Sequence, residues 1–157
     1  MRRAVAKASM GSMPQSLRTG AAAGVGMPGP MVVIVDDDDG LRLALARVLS
    51  ACGFEVRAYA NAEDALQAQF VESCACLVVD LQLPHMSGLD LTDCLRERGS
   101  NMPVVVISAH DEAHVRKAVA QRGIEHFLAK PFPGGTLAAL VRALIGERRS
   151  GAAAQGP

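Results

Sequence analysis

The chain has 157 residues, half of them apolar, with 16 Lys and Arg against 16 Asp and Glu, one Tyr and no Trp. That length suits one domain with tails. Fifteen Gly without a period of three, only four Cys and no sustained heptad exclude collagen, disulfide-scaffold and coiled-coil classes. Apolar runs such as Cys74 to Val79 and Val104 to Ile107 fall far short of the roughly 20 residues of a membrane-spanning helix.

Residues 1–30 carry Arg2, Arg3, Lys7 and Arg18 without an acid and end in Met27-Pro28-Gly29-Pro30. They show no apolar period. Ser16, Arg18 and Thr19 interrupt any secretory apolar core, so the segment is expected to be a disordered N-terminal extension: a flexible tail or an over-extended start, rather than a transit peptide.

Residues 31–145 then alternate between short apolar runs and helical segments. The runs are Val32 to Val35, Glu55 to Tyr59, Cys76 to Val79, Val104 to Ile107 and His126 to Leu128. The first, third and fourth are nearly all Val, Ile and Leu, as strands buried on both faces require. The second and fifth are more mixed, which places them at sheet edges.

Between the strands, Leu41 to Ala51 stops at Gly53, and Asn61 is placed to cap a helix over 62–71. Ser87 or Gly88 opens a helix over 89–98, Asp111 precedes one over 112–122, and a last helix runs from Thr136 to Ile145. Residues 146–157 are expected to form a disordered C-terminal tail. The predicted fold is a doubly wound α/β domain of the flavodoxin-like (βα)5 kind, a five-stranded parallel sheet with helices on both faces.

Charge is distributed unevenly. Residues 31–145 hold 15 acids and 10 bases, and no basic stripe is present to meet a phosphate backbone, so binding of nucleic acid by this chain alone is not expected. Cys52, Cys74, Cys76 and Cys94 lie in apolar or helical segments without zinc-ligand spacing and read as free thiols in a reducing, cytoplasmic setting.

Asp36, Asp37, Asp38 and Asp39 directly follow the first buried strand. Such a loop could be merely solvated, but a second strand-end carboxylate, Asp80, follows Leu77-Val78-Val79. In open α/β sheets, ligands collect at the carboxyl ends of the strands, where Asp36, Asp37 and Asp80 should converge. Carboxylates completed by water suit Mg2+ meeting phosphate. Ser108 ends the fourth strand and Lys130 the fifth, so carboxylate, hydroxyl and ammonium share one sheet edge and point to phosphoryl chemistry.

The motifs Val-Asp-Asp-Asp at 35–38, Val-Asp-Leu-Gln-Leu-Pro-His-Met-Ser-Gly at 79–88, Val-Ile-Ser-Ala at 106–109 and Ala-Lys-Pro-Phe at 129–132 stand at matching intervals. On these, residues 31–145 resemble a response-regulator receiver domain of two-component signalling. The likeness is greatest to receivers that usually precede a helix-turn-helix output domain.

The resemblance implies a single-domain response regulator, a phospho-acceptor rather than an enzyme. Asp80 takes a phosphoryl group from a sensor histidine kinase or a phosphotransfer protein. Asp37 and Asp80 hold Mg2+, Asp36 assists through water, and the backbone carbonyl of Gln82 completes the set. Ser108 and Lys130 contact phosphoryl oxygens. Ser108 and Phe127 form a switch that reshapes the surface for a downstream protein, and a phosphorylation-dependent homodimer is a further partner the resemblance allows. Lys130-Pro131 is similar to the family's cis peptide, and Pro84 and Gly88 shape the loop after the acceptor.

Other assignments stay open at this point. Phe127 could be plain core, and Asp38 and Asp39 could be first-turn helix acids. Pro133-Gly134-Gly135 departs from the usual pattern and suggests a late or frayed last helix, and His110 and His114 read as an exposed pair on one helical turn. A phosphorelay intermediate and a receiver-like interaction module that is never phosphorylated are alternatives. A remoter one is a haloacid-dehalogenase-type phosphatase, because Asp37-Asp38-Asp39-Gly40 resembles that family's opening motif. No acid follows Lys130 until Glu147, and Asp80 would then have no role.

Overall fold

A computed structural model describes residues 27–153. The elements in chain order are β1 (Met31–Val35), α1 (Asp39–Ala51), β2 (Glu55–Tyr59), α2 (Ala62–Gln67), a 3-10 turn (Val71–Ser73), β3 (Cys76–Asp80), α3 (Gly88–Glu97), β4 (Val104–Ser108), α4 (Ala113–Gln121), β5 (His126–Ala129) and α5 (Gly134–Ala153). All five strands are parallel, in the order β2-β1-β3-β4-β5. The mixed strands β2 and β5 are the edges, as their composition requires.

The chain leaves β1 for β2 on one side and then crosses to β3 on the other. That reversal opens a crevice at the carboxyl ends of β1 and β3. Alternation along the central strands feeds two cores. Val32, Ile34, Cys76, Val78, Val105 and Ile107 pack with Leu45 and Leu49 of α1 and Leu137 and Val141 of α5. Val33, Val35, Leu77, Val79, Val104 and Val106 pack with Ala62 and Ala65 of α2, Leu91 and Leu95 of α3 and Val119 of α4. Among the described residues no helix is long and apolar enough to cross a membrane.

Local chemistry sets the helix starts. Asp38 caps α1 by accepting the Leu41 N–H, and Asn61 caps α2 through the Asp64 N–H. Ser87 and Asp90 form a reciprocal capping box at α3.

Several sequence expectations need correction. The second helix ends at Gln67 rather than residue 71, and the chain continues into the 3-10 turn. The fourth starts at Ala113 rather than residue 112, with Glu112 at the N-cap position making no side-chain cap bond, while the Asp111 carboxylate pairs with Arg116. His110 therefore precedes α4, with its Nδ1 3.4 Å from Glu112 Oε1, and shares no helical turn with His114.

The last helix is longer at both ends than Thr136 to Ile145. Gly134 begins it without delay, and its bare Cα fits against Val48 of α1, where a Cβ would stand 3.1 Å from Val48 Cγ2. Gly146 does not end it: an interior glycine costs only about 1 kcal/mol, and the Glu, Arg and Ala residues that follow favour a helix. The tail expected over 146–157 is thus helical as far as Ala153. The expected disorder of 1–26 and 154–157 lies outside the described residues. Residues 29 and 30 are tied to the domain, Gly29 against Gly53 and the Pro30 carbonyl by the Glu55 N–H.

Burial pushes the Cys74 thiol up to about 11 and the Cys76 thiol up to about 12, from an ordinary value of 9.0. In the unfolded chain both ionise first, so stability falls as pH rises past 9 toward 11 and 12. At pH 8 a thiolate-selective reagent is expected to label half-buried Cys52 and Cys94 and to reach Cys74 and Cys76 only after denaturant is added. Labelled positions are read by peptide mass.

Candidate functional site

The crevice collects its groups from three strand ends. Asp36 follows β1, Asp80 ends β3 and Lys130 follows β5, so residues 94 positions apart in the chain come into hydrogen-bond contact. Lys130 Nζ donates to Asp36 Oδ2 at 2.9 Å and to Asp80 Oδ2 at 2.6 Å. Asp36 is fully buried and Asp80 nearly so.

Their remaining oxygens are also occupied. The Asp38 N–H donates to Asp36 Oδ1 at 2.8 Å, and the Gln82 N–H donates to Asp80 Oδ1 at 2.9 Å. Asp37 is exposed and lies on the open side of the cluster. One carboxylate oxygen from each of Asp36, Asp37 and Asp80 falls within 4.8 Å of the others.

The electrostatics follow from that packing. Burial raises the Asp80 carboxyl above its ordinary value, with the hydrogen bonds from Lys130 and Gln82 opposing. Burial also works against the Lys130 ammonium, but its bonds to Asp80 and Asp36 outweigh this and hold it above the ordinary lysine value. Three carboxylates facing one ammonium leave two formal negative charges, which a divalent cation would match. All the donors are hard oxygens, and Asp37 leaves one side open to water, so the residues fit Mg2+.

Ser108 is fully buried at the end of β4, and its Oγ accepts the His110 N–H at 3.0 Å. The hydroxyl proton therefore remains available for donation. On β5, Phe127 pairs with Val106 and Ala129 with Ser108. Parallel partners project to one face and residues two apart share it, so the Ser108 and Phe127 side chains lie on the same side of the sheet. Phe127 is half-buried against the core beneath α2, α3 and α4.

The backbone around the cluster is tightly held. Asp36 N–H donates to the Tyr59 carbonyl at 3.1 Å, and Arg42 donates to the Asp36 carbonyl at 2.7 Å while pairing with Asp39. The Lys130-Pro131 peptide is cis, and the Lys130 N–H donates to the Ser108 carbonyl at 2.8 Å. Gly88 N–H donates to the Leu81 carbonyl at 3.1 Å, closing the loop over Asp80.

The structure brings together Asp36, Asp37, Asp80 and Lys130 as the sequence predicts. It separates Asp38 and Asp39, which serve as the cap and first turn of α1. The anchoring role of Arg42 was not predicted, although its spacing of three from Asp39 is the signal that carries it.

Against known families, residues 32–142 match the response regulator receiver domain. The chain belongs to that family. It is 35% identical over 116 residues to the transcriptional regulatory protein FixJ of Azorhizobium caulinodans, covering 74% of this chain and 55% of that protein. It is 30% identical over 135 residues to TdiR of Thauera aromatica, covering 86% and 56%. The chain thus spans about half the length of these curated relatives. Among solved structures, the signal receiver domain of a putative LuxO repressor protein from Vibrio parahaemolyticus superposes with a TM-score of 0.73 at 24% identity, covering 82% of this chain and 99% of that one. A CheY-like receiver domain from Methanospirillum hungatei gives 0.71 at 20% identity, covering 78% and 98%. Both likenesses concern the fold.

Gly88 supplies a sharp test of how the crevice is built. A Cβ there would stand 2.2 Å from the Asp80 carbonyl oxygen and 2.9 Å from Val79 Cγ2. Gly88→Ala is expected to cost about 2 kcal/mol or more in urea unfolding, whereas Gly135→Ala, with open space around it, should be neutral or stabilising.

Proposed function

We propose that this receiver domain accepts a phosphoryl group on Asp80, in a Mg2+-dependent reaction, from a sensor histidine kinase or a phosphotransfer protein, and signals to a downstream protein through the resulting change of surface. The observation that carries the reading is the Lys130 ammonium held between Asp36 and Asp80, beside exposed Asp37.

In this reading an Asp80 carboxylate oxygen forms the bond to phosphorus while the bond to the donor's nitrogen breaks, and the electron pair leaves with the donor's imidazole. Lys130 neutralises charge on Asp80 and on the incoming phosphoryl oxygens. Ser108 donates its free hydroxyl proton to another oxygen. Asp36, Asp37, Asp80 and the Gln82 carbonyl are the residues that would hold Mg2+, and the ion supplies positive charge beside the oxygens of the transferring group. Catalysis here consists of positioning and electrostatics.

A phosphatase with Asp37 as nucleophile and Asp39 as acid gains no support. Asp39 points into an ion pair with Arg42, 88% exposed, while Asp80 completes the carboxylate cluster. The family match also favours the phospho-acceptor over that chemistry.

Incubation with acetyl phosphate and Mg2+ is expected to add one phosphoryl group by intact mass. Asp80→Asn should abolish the adduct, and chelation by EDTA should suppress it in wild type. A phosphoryl group that persists in Asp80→Asn, or none in wild type, would reject the reading. In the second case the unphosphorylated interaction module takes its place.

A further inference from the structure

Arg116 of α4 lies over β5, its guanidinium carbon 4.7 Å from the centre of the Phe127 ring. Its Nε donates to the carboxylate of Asp111, in the loop that follows β4. The pairing lowers the Asp111 pKa and raises that of Arg116, so both ends stay charged. Phe127 is packed between this cation and the core beneath α2, α3 and α4.

The loop itself begins at the site. Ser108 Oγ accepts the His110 N–H, and Asp111 follows directly. A short covalent path therefore joins the buried hydroxyl to the acid that fixes Arg116, and Arg116 joins that acid to the ring. Neither Arg116 nor Asp111 touches the carboxylate cluster.

We propose that Arg116, oriented by Asp111, is a positioning residue that clamps the Phe127 ring in its present orientation and so opposes rearrangement of the switch when Asp80 is phosphorylated. This rests on the phospho-acceptor reading. A stack holds one ring orientation, so a state in which the ring has turned must give it up. Removing the stack shifts the population toward the turned state by the differential free energy alone. An exposed cation–π contact sets that shift at about two- to fivefold. Phosphoryl transfer that proceeds from the turned state has a rate proportional to that state's small population, so raising the population raises the rate by the same factor.

The test compares acetyl phosphate labelling of Asp80, with Mg2+, in wild type, Arg116→Ala, Arg116→Lys, Asp111→Asn, Phe127→Leu and the Arg116→Ala/Phe127→Leu double variant. Arg116→Ala is expected to raise the maximal labelling rate about two- to fivefold, leaving the acetyl phosphate concentration for half-maximal rate unchanged. Asp111→Asn should give a smaller rise, and Arg116→Lys should restore most of the wild-type rate. In the Phe127→Leu background Arg116→Ala should add nothing. Without phosphate, the Phe127 ring resonances should move in Arg116→Ala.

Wild type that is labelled together with Arg116→Ala at the same rate overturns the clamp alone. An effect of Arg116→Ala that survives in Phe127→Leu also overturns it, because the residue would then act by another route. Wild type that takes up no phosphoryl group overturns both the clamp and the reading beneath it.

Discussion

A lysine ammonium shared by two buried carboxylates is the interaction on which the rest of this domain depends. Lys130 bonds Asp36 and Asp80 at once, and each acid also receives a backbone N–H. Removing such charges from water is expensive, and one cation cannot balance three acids. The site is thus held at a net negative charge that its own residues leave uncompensated. Such a cost to stability is expected of a functional site rather than of a structural one.

The sheet makes that arrangement possible. Reversal of strand order between β1 and β3 leaves room at their carboxyl ends, and β5 delivers Lys130 from the far edge across β4. Two cores, one under α1 and α5 and one under α2, α3 and α4, hold the strand ends rigidly enough for contacts between distant parts of the chain. Capping at Asp38 and Ser87 fixes where the loops after β1 and β3 turn into helices. The close fit of Gly88 against the Asp80 carbonyl shows how little slack remains. Ser108 and Phe127 lie on one face of the neighbouring strands β4 and β5, beside this site.

Most of the architecture was legible in the sequence because strands buried on both faces announce themselves as runs of Val, Ile and Leu, as in Val104 to Ile107. The clustering of Asp36, Asp37, Asp80 and Lys130 was legible for a related reason: each stands immediately after such a run, and a parallel sheet brings those ends together. What escaped depends on tertiary contact. Asp111 precedes the predicted fourth helix, yet its carboxylate pairs with Arg116, whose guanidinium lies over Phe127 of β5. Gly134 and Gly146 look like helix breakers, yet one fits against Val48 and the other sits among good helix formers. The contact with Val48 is invisible to local propensity, whereas the residues around Gly146 favour a helix by propensity itself.

The proposal that the acidic crevice holds one divalent cation rests on Asp37 and its neighbours. It is tested most directly by titrating the protein with MgCl2 while following backbone amide resonances. Saturable shifts are expected for one ion per chain, concentrated at Asp36, Asp37, Asp80, Leu81 and Gln82, with a loss of those shifts in Asp37→Asn. Resonances that stay put through saturating magnesium, or that move equally in Asp37→Asn, would contradict it.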